Sequence, residues 1–235
     1  MTTRSVITTA KRQLRSSVKK TILSLPAENI LSQSQICVNT LLSLPEYQSS
    51  RRISIFLSMP MKEVDTSCIV EDALIQEKMV HVPYIHRQSK SSLGMVDPAS
   101  VSSPPNLMDM LSLFSQVDYE SLEPDSWGIP TIPEHSVPGR SNCLDHEGLD
   151  LIVMPGVAFD EGFRRLGHGK GYYDYFLARY KQLVDSKGAE GKMRMPILVA
   201  LALKEQIFED GTVPVNLSDW PMDIIITGEG KLLRR

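Results

Sequence analysis

Apolar residues recur along the chain in two rhythms, and the switches between them outline a fold. Over residues 4–25, Ile7, Leu14, Val18, Ile22 and Leu25 return near the helical period and Pro26 closes the run, which predicts an amphipathic helix. A second helix is predicted over residues 27–44, stopping before Pro45. The pattern then changes to short, unbroken apolar runs. Residues 52–58 and 79–85 read as buried strands with a helix over 66–78 between them, a βαβ unit. Further strands are predicted at 151–154, which ends at Pro155-Gly156, at 197–202 and at 224–227, with a helix opening at Tyr172. Continuous apolar strands separated by helices imply a largely parallel sheet covered on both faces, with ligands gathered at the carboxyl ends of its strands. Residues 89–105 and 134–148, rich in Ser, Pro, Gly and charge, and the polar stretch 186–194 are predicted as surface loops. None of them reads as a boundary, so the expectation is one domain over residues 1–235.

Composition narrows the function classes. With 42% hydrophobic residues and a net charge of −3, the 235-residue chain can bury a good core but offers no global case for a nucleic-acid or membrane partner. No apolar run approaches the ~18 residues of a membrane span. Cys37, Cys68 and Cys143 are scattered and form no CxxC, which fits a reducing compartment and argues against a cysteine nucleophile. Among the five histidines, His81 and His86 fall on opposite faces of their strand, and His135 and His146 lie in polar sequence; no zinc pattern results.

The densest chemistry lies in Arg164-Arg165-Leu166-Gly167-His168-Gly169-Lys170-Gly171-Tyr172-Tyr173-Asp174. Alternate glycines let the backbone turn tightly and approach a ligand, and the helix that follows would offer free N–H groups and the positive end of its dipole to phosphate. Arg165 and Lys170 add charge, and Asp174, in the first helical turn, can hold an accompanying metal. This is not a Walker A loop, because no Lys-Ser or Lys-Thr pair follows the second glycine; nor is it a dinucleotide fingerprint, because Tyr172 stands where a third glycine belongs. A bare tight turn between strand and helix is the plainer alternative.

Several segments together resemble the 5-formyltetrahydrofolate cyclo-ligase family, also called methenyltetrahydrofolate synthetase. They are Lys11-Arg12-Gln13-Leu14-Arg15; residues 52–59 followed by Glu63; Trp127-Gly128-Ile129-Pro130; residues 150–160; the glycine loop through Asp174; Ala202-Leu203-Lys204-Glu205-Gln206; and Val213-Pro214-Val215-Asn216 with Asp219. The resemblance implies a Rossmann-like α/β three-layer sandwich with a mainly parallel sheet flanked by helices. It further implies an ATP- and Mg²⁺-dependent ligase that converts 5-formyltetrahydrofolate to 5,10-methenyltetrahydrofolate through phosphoryl activation of the formyl oxygen and ring closure by N10. The family's ATP contacts correspond to Lys11, Arg12, Gln13, Leu14 and Arg15 and to Arg165, Leu166, Gly167, His168, Gly169, Lys170, Gly171, Tyr172 and Tyr173. Its folate contacts correspond to Arg15, Leu57, Glu63, His168, Gly169, Lys170, Gly171 and Tyr172, and its magnesium positions to Asp174 and Asp219.

His168 departs from the family, where arginine is frequent; an imidazole titrates near ~6.5 and gives a pH-dependent contact. Two other classes remain, a different small-molecule kinase or ligase and a non-catalytic nucleotide or RNA binder using the basic first helix. On that helix Lys11 and Arg15 share a face at i, i+4. If the face is exposed, Arg15→Ala should weaken ligands with little effect on melting. Residues 1–27 are basic and free of acids, as in a mitochondrial presequence, but cleavage would remove Lys11 and Arg15. A cytoplasmic monomer is therefore expected, with the mitochondrion as the alternative location.

Overall fold

The computed structural model describes residues 3–87, 106–187 and 193–235. The loop predicted at 89–105 and most of that at 186–194 therefore lie outside the described residues. Three helices open the chain: α1 (Thr3–Leu23), α2 (Ala27–Leu42) and α3 (Pro45–Ser49). Then come β1 (Arg52–Ile55), α4 (Ser67–Ile75), β2 (Met79–Arg87), β3 (Asn106–Leu113), α5 (Gln116–Glu120), β4 (Glu123–Pro124) and β5 (Pro130–Thr131). The remainder is β6 (Leu151–Met154), β7 (Ala158–Asp160), β8 (Arg165–Leu166), α6 (Tyr172–Lys187), β9 (Ile197–Ala202), β10 (Ile207–Phe208), β11 (Ile224–Thr227) and β12 (Leu232–Arg234).

Seven strands form the main sheet in the order β12-β11-β9-β6-β1-β2-β3. The five predicted strands are its parallel centre, and β3 and β12 add antiparallel edges. All four residues of β6 and of β11 are buried, which is why these strands read as unbroken apolar runs. Alternate side chains feed two cores. Ile53, Ile55, Leu151 and Val153 pack with Val18 and Ile22 of α1, Val38 and Leu41 of α2, and Ile69 and Val70 of α4. Ile152, Met154, Leu198 and Ala200 face the opposite side, against Phe176, Leu177 and Tyr180 of α6. Helix, sheet and helix make the three expected layers.

Beyond Ile55 the predicted strand 52–58 stops pairing, although Phe56 and Leu57 stay buried. There the neighbours diverge. From β1 the chain proceeds to β2 on one side, then returns through β6 on the other, so a crevice opens at the carboxyl ends of β1 and β6. Past β6 a second sheet, β10-β7-β8, stands at this end; β7 and β8 form a hairpin that leads into the glycine loop.

Candidate functional site

The β1 side of the crevice carries an acid. Thr66 Oγ1 donates to Phe56 O at 2.7 Å, closing the loop after β1, and Met59 N donates to Glu63 Oε1 at 2.6 Å. Both Glu63 and Leu57 are 6% exposed. Burial pushes the Glu63 carboxyl up to about 7, against the opposing pull of the Met59 amide and Lys62.

On the β6 side, buried Gln206 donates to Gly156 O at 2.8 Å and to Val157 O at 3.2 Å, fixing the turn that leaves the strand. The glycine loop then arrives from β8. Gly169 and Gly171 have φ of +96° and +71°, a left-handed backbone that any side chain would strain. Helix α6 starts directly after them, placing Asp174 in its first turn. Arg165 turns inward and is almost wholly buried: its Nη2 donates to Asp174 Oδ1 at 2.8 Å and its Nη1 to Pro155 O at 3.3 Å. Its Nε is buried without a hydrogen-bond partner among the described residues.

Helix α1 completes the arrangement from the far end of the chain. Lys11 forms an ion pair with Asp219 Oδ2, and Arg15 Nε donates to Gly167 O at 2.7 Å. The expectation of an exposed basic face is thereby corrected. Lys11 is 8% exposed and Arg15 half-buried, because the face docks on the glycine loop and on the Asp219 loop. Arg12 and Gln13 turn to solvent, whereas Leu14 packs on the core beneath α1. Leu166 is buried, and Lys170 is exposed.

His168 connects the two sides. It is half-exposed, and its Nε2 lies 4.0 Å from Glu63 Oε2. Partial burial, followed by the charges of Arg165, Arg15 and Lys19, holds its pKa below the ordinary imidazole value. The imidazolium expected beside phosphate is thus disfavoured until an anion arrives. Tyr173 stacks within 5.9 Å of the Arg165 guanidinium, and its hydroxyl is pushed well above the ordinary phenol value by burial.

The two predicted metal positions lie on adjoining backbone. Trp220 N, one residue beyond Asp219, donates to Asp174 Oδ1 at 3.3 Å, and Asn216 N donates to Asp219 Oδ2 at 2.5 Å. Among the described residues, hydrogen bonds and ion pairs engage Oδ1 of Asp174 and Oδ2 of Asp219, leaving one carboxylate oxygen of each for another ligand. No group of three or more His, Cys, Asp and Glu is placed for a metal among the described residues. Two hard oxygens nonetheless fit Mg²⁺, which is commonly held by one or two carboxylates together with substrate phosphates.

Chemically, the crevice combines a cationic, glycine-lined bay, two carboxylates within the same bay, and a separate buried acid across His168. Such a bay suits a polyanion with a divalent ion, and the acid suits the donor edge of a planar heterocycle. Sequence reasoning gave no role to Asp160 or Gln206; both stand in the segments quoted for the resemblance, but only contacts show what they hold.

Comparisons with known proteins identify the family. A family model described as the 5-formyltetrahydrofolate cyclo-ligase family matches residues 7–228. The chain is 37% identical over 220 residues to a 5-formyltetrahydrofolate cyclo-ligase of Mus musculus, covering 94% of each. It is 32% identical over 224 residues to a probable 5-formyltetrahydrofolate cyclo-ligase of Schizosaccharomyces pombe, covering 95% of this chain and 97% of that one. The NMR structure of Aquifex aeolicus 5,10-methenyltetrahydrofolate synthetase is similar with a TM-score of 0.65 and 26% identity, over 95% of this chain and 92% of that one.

Proposed function

The chain belongs to the 5-formyltetrahydrofolate cyclo-ligase family, and from that premise we propose that it uses ATP and Mg²⁺ to convert 5-formyltetrahydrofolate to 5,10-methenyltetrahydrofolate, releasing ADP and phosphate. The observation that carries this reading is the convergence of α1, the glycine loop and the Asp219 loop beside buried Glu63. Lys11, Arg15 and Lys170 neutralise the triphosphate, while the left-handed backbone at Gly169 and Gly171 brings main chain close to it. Asp174 and Asp219 would hold the Mg²⁺, which when bound would supply charge neutralisation to the phosphate. Glu63 accepts from the pterin's amino and amide edge, and Leu57 gives the ring an apolar wall.

No protein nucleophile is needed. The formyl oxygen attacks the terminal phosphorus, the bond to ADP breaks, and an imidate phosphate results. The N10 lone pair then adds to the formyl carbon, the carbon–oxygen bond to phosphate breaks, and N10 gives up its proton as the ring closes. Positioning and charge stabilisation dominate such a transfer. The test is a paired assay of ADP release and methenyl-product absorbance against a panel of reduced folates. Turnover should require ATP, Mg²⁺ and the 5-formyl compound together; ADP release indifferent to the folate would point to another ATP-dependent enzyme. Asp174→Ala should raise the Mg²⁺ requirement and lower the rate by roughly 10- to 1,000-fold.

Among the described residues no helix is long and apolar enough to cross a membrane. We place the protein as a cytoplasmic monomer, checkable by fractionation against mitochondria and by sizing in solution.

A further inference from the structure

Asp160 ends β7 and is fully buried, yet among the described residues its side chain bonds to none of the groups assigned to ligands. Its Oδ1 accepts from Arg164 N at 3.0 Å, across the turn that joins β7 to β8. Its Oδ2 accepts from Val213 N at 3.0 Å and from Arg164 Nη1 at 3.2 Å. One carboxylate therefore ties the hairpin that feeds the glycine loop to the segment that carries Asp219. The same hairpin holds that segment's other end, because Met222 N donates to Phe163 O at 2.9 Å, where Phe163 sits at φ +64°. Between these two anchors lie Asn216, Asp219 and Trp220, whose bonds to Asp219 and Asp174 are described above. Of the groups assigned to the folate, Leu57 and Glu63 belong to the loop after β1 and, among the described residues, have no hydrogen bond to this hairpin.

We propose that Asp160 is a positioning residue for the nucleotide and metal half of the site: it fixes the Asp219 segment relative to the glycine loop, so that Asp219 and Asp174 present their oxygens together. This rests on the reading that ATP and Mg²⁺ bind between those two segments. A buried carboxylate satisfied by two backbone amides and one guanidinium is hard to replace, since an isosteric amide turns one acceptor into a donor facing another donor. Loss of such an outer contact commonly costs about 10- to 100-fold in metal affinity or activity.

The experiment measures Mn²⁺ binding by electron paramagnetic resonance in the presence of ATP, alongside KM values for ATP and 5-formyltetrahydrofolate. Wild type, Asp219→Ala, Asp160→Asn and Arg164→Gln are compared. Asp160→Asn should weaken Mn²⁺–ATP binding and raise the ATP KM by about 10- to 100-fold, with the folate KM within about twofold of wild type. Arg164→Gln removes the partly exposed guanidinium arm, together with its ion pair to Asp210, but keeps both backbone bonds to Asp160, and should shift the same two quantities in the same direction by less. If Asp160→Asn does not fold, Arg164→Gln decides, and normal Mn²⁺–ATP binding by it overturns the proposal. Unchanged Mn²⁺–ATP binding by folded Asp160→Asn, or equal losses for ATP and folate, also overturns it. Failure of the underlying reading looks different, because then wild type and Asp219→Ala would bind Mn²⁺–ATP alike.

Discussion

Burial pushes both Glu63 and His168 toward their neutral forms, raising the carboxyl and lowering the imidazole. Burial raises the Glu63 carboxyl to about 7, so the folded protein binds this proton more tightly than the unfolded chain does. Its contribution to stability is therefore fully present below the ordinary carboxylate range and is lost as pH rises through about 7. Replacing it with the neutral isostere Glu63→Gln should raise the melting temperature at pH 8 and change it little at pH 5, while weakening the folate; an equal shift at both pH values would show that the charge is not the cost. For His168 partial burial and then the surrounding cations depress the free imidazolium, and bound triphosphate would raise it. Affinity for ATP should then be highest below the free-state pKa and be lost as pH rises through that of the complex. At fixed free Mg²⁺, His168→Arg should give a flatter profile between about pH 6 and 8.5, and parallel profiles would leave Lys11, Arg15, Lys170 and the backbone as the phosphate contacts.

Helix α1 serves both fold and site. Val18 and Ile22 anchor it in the core, while Lys11 and Arg15 reach across to Asp219 and Gly167. Arg15→Ala should accordingly do two things. Losing a charged donor on a half-buried carbonyl costs about 1–2 kcal/mol, or roughly 2–8 °C in melting temperature for a chain of this size, and ATP binding should weaken as well. Gly169→Ala should be destabilising too, since it forces a side chain into a left-handed backbone at φ +96° with the new Cβ 3.3 Å from Arg15 Cζ. Thermal melts with and without ATP check both variants. Much of this architecture is legible in the sequence. The helical rhythm of α1 and α2 and the unbroken runs of β1, β2, β6, β9 and β11 are local signals that buried packing reinforces. Strand β3 escapes notice because Leu107 and Met108, then Met110 and Leu111, come in doublets that match neither period, and β12 is short and largely exposed. At the site, alternate glycines and basic residues mark the loop that turns into α6 beside the crevice. Nothing local tells that Arg165 turns inward to Asp174, or that Lys11 is buried against Asp219.

At the scale of the molecule, one crevice organises everything. Parallel strands diverge at β1 and β6, and each flank contributes a different chemistry: a buried acid on one side, cations and carboxylates on the other. We propose that residues 1–235 form one cooperative unit. Calorimetry should show a single unfolding transition that moves upward with ATP and Mg²⁺, by about 2.7 kcal/mol in stability at a hundred times Kd, and further with folate; two separable transitions would divide the chain.

The pairing of Lys11 with Asp219 also carries a temporal consequence. Synthesis delivers Lys11 a full 208 residues ahead of Asp219, so on the ribosome the proposed phosphate bay must wait for the strands between them. Until then the basic face of α1 has no acidic partner from that loop, and the emerging polypeptide passes through a stage with its sheet largely made but no nucleotide bay. Stalled nascent chains ending before Val213 should therefore fail to retain ATP however completely their earlier strands have paired.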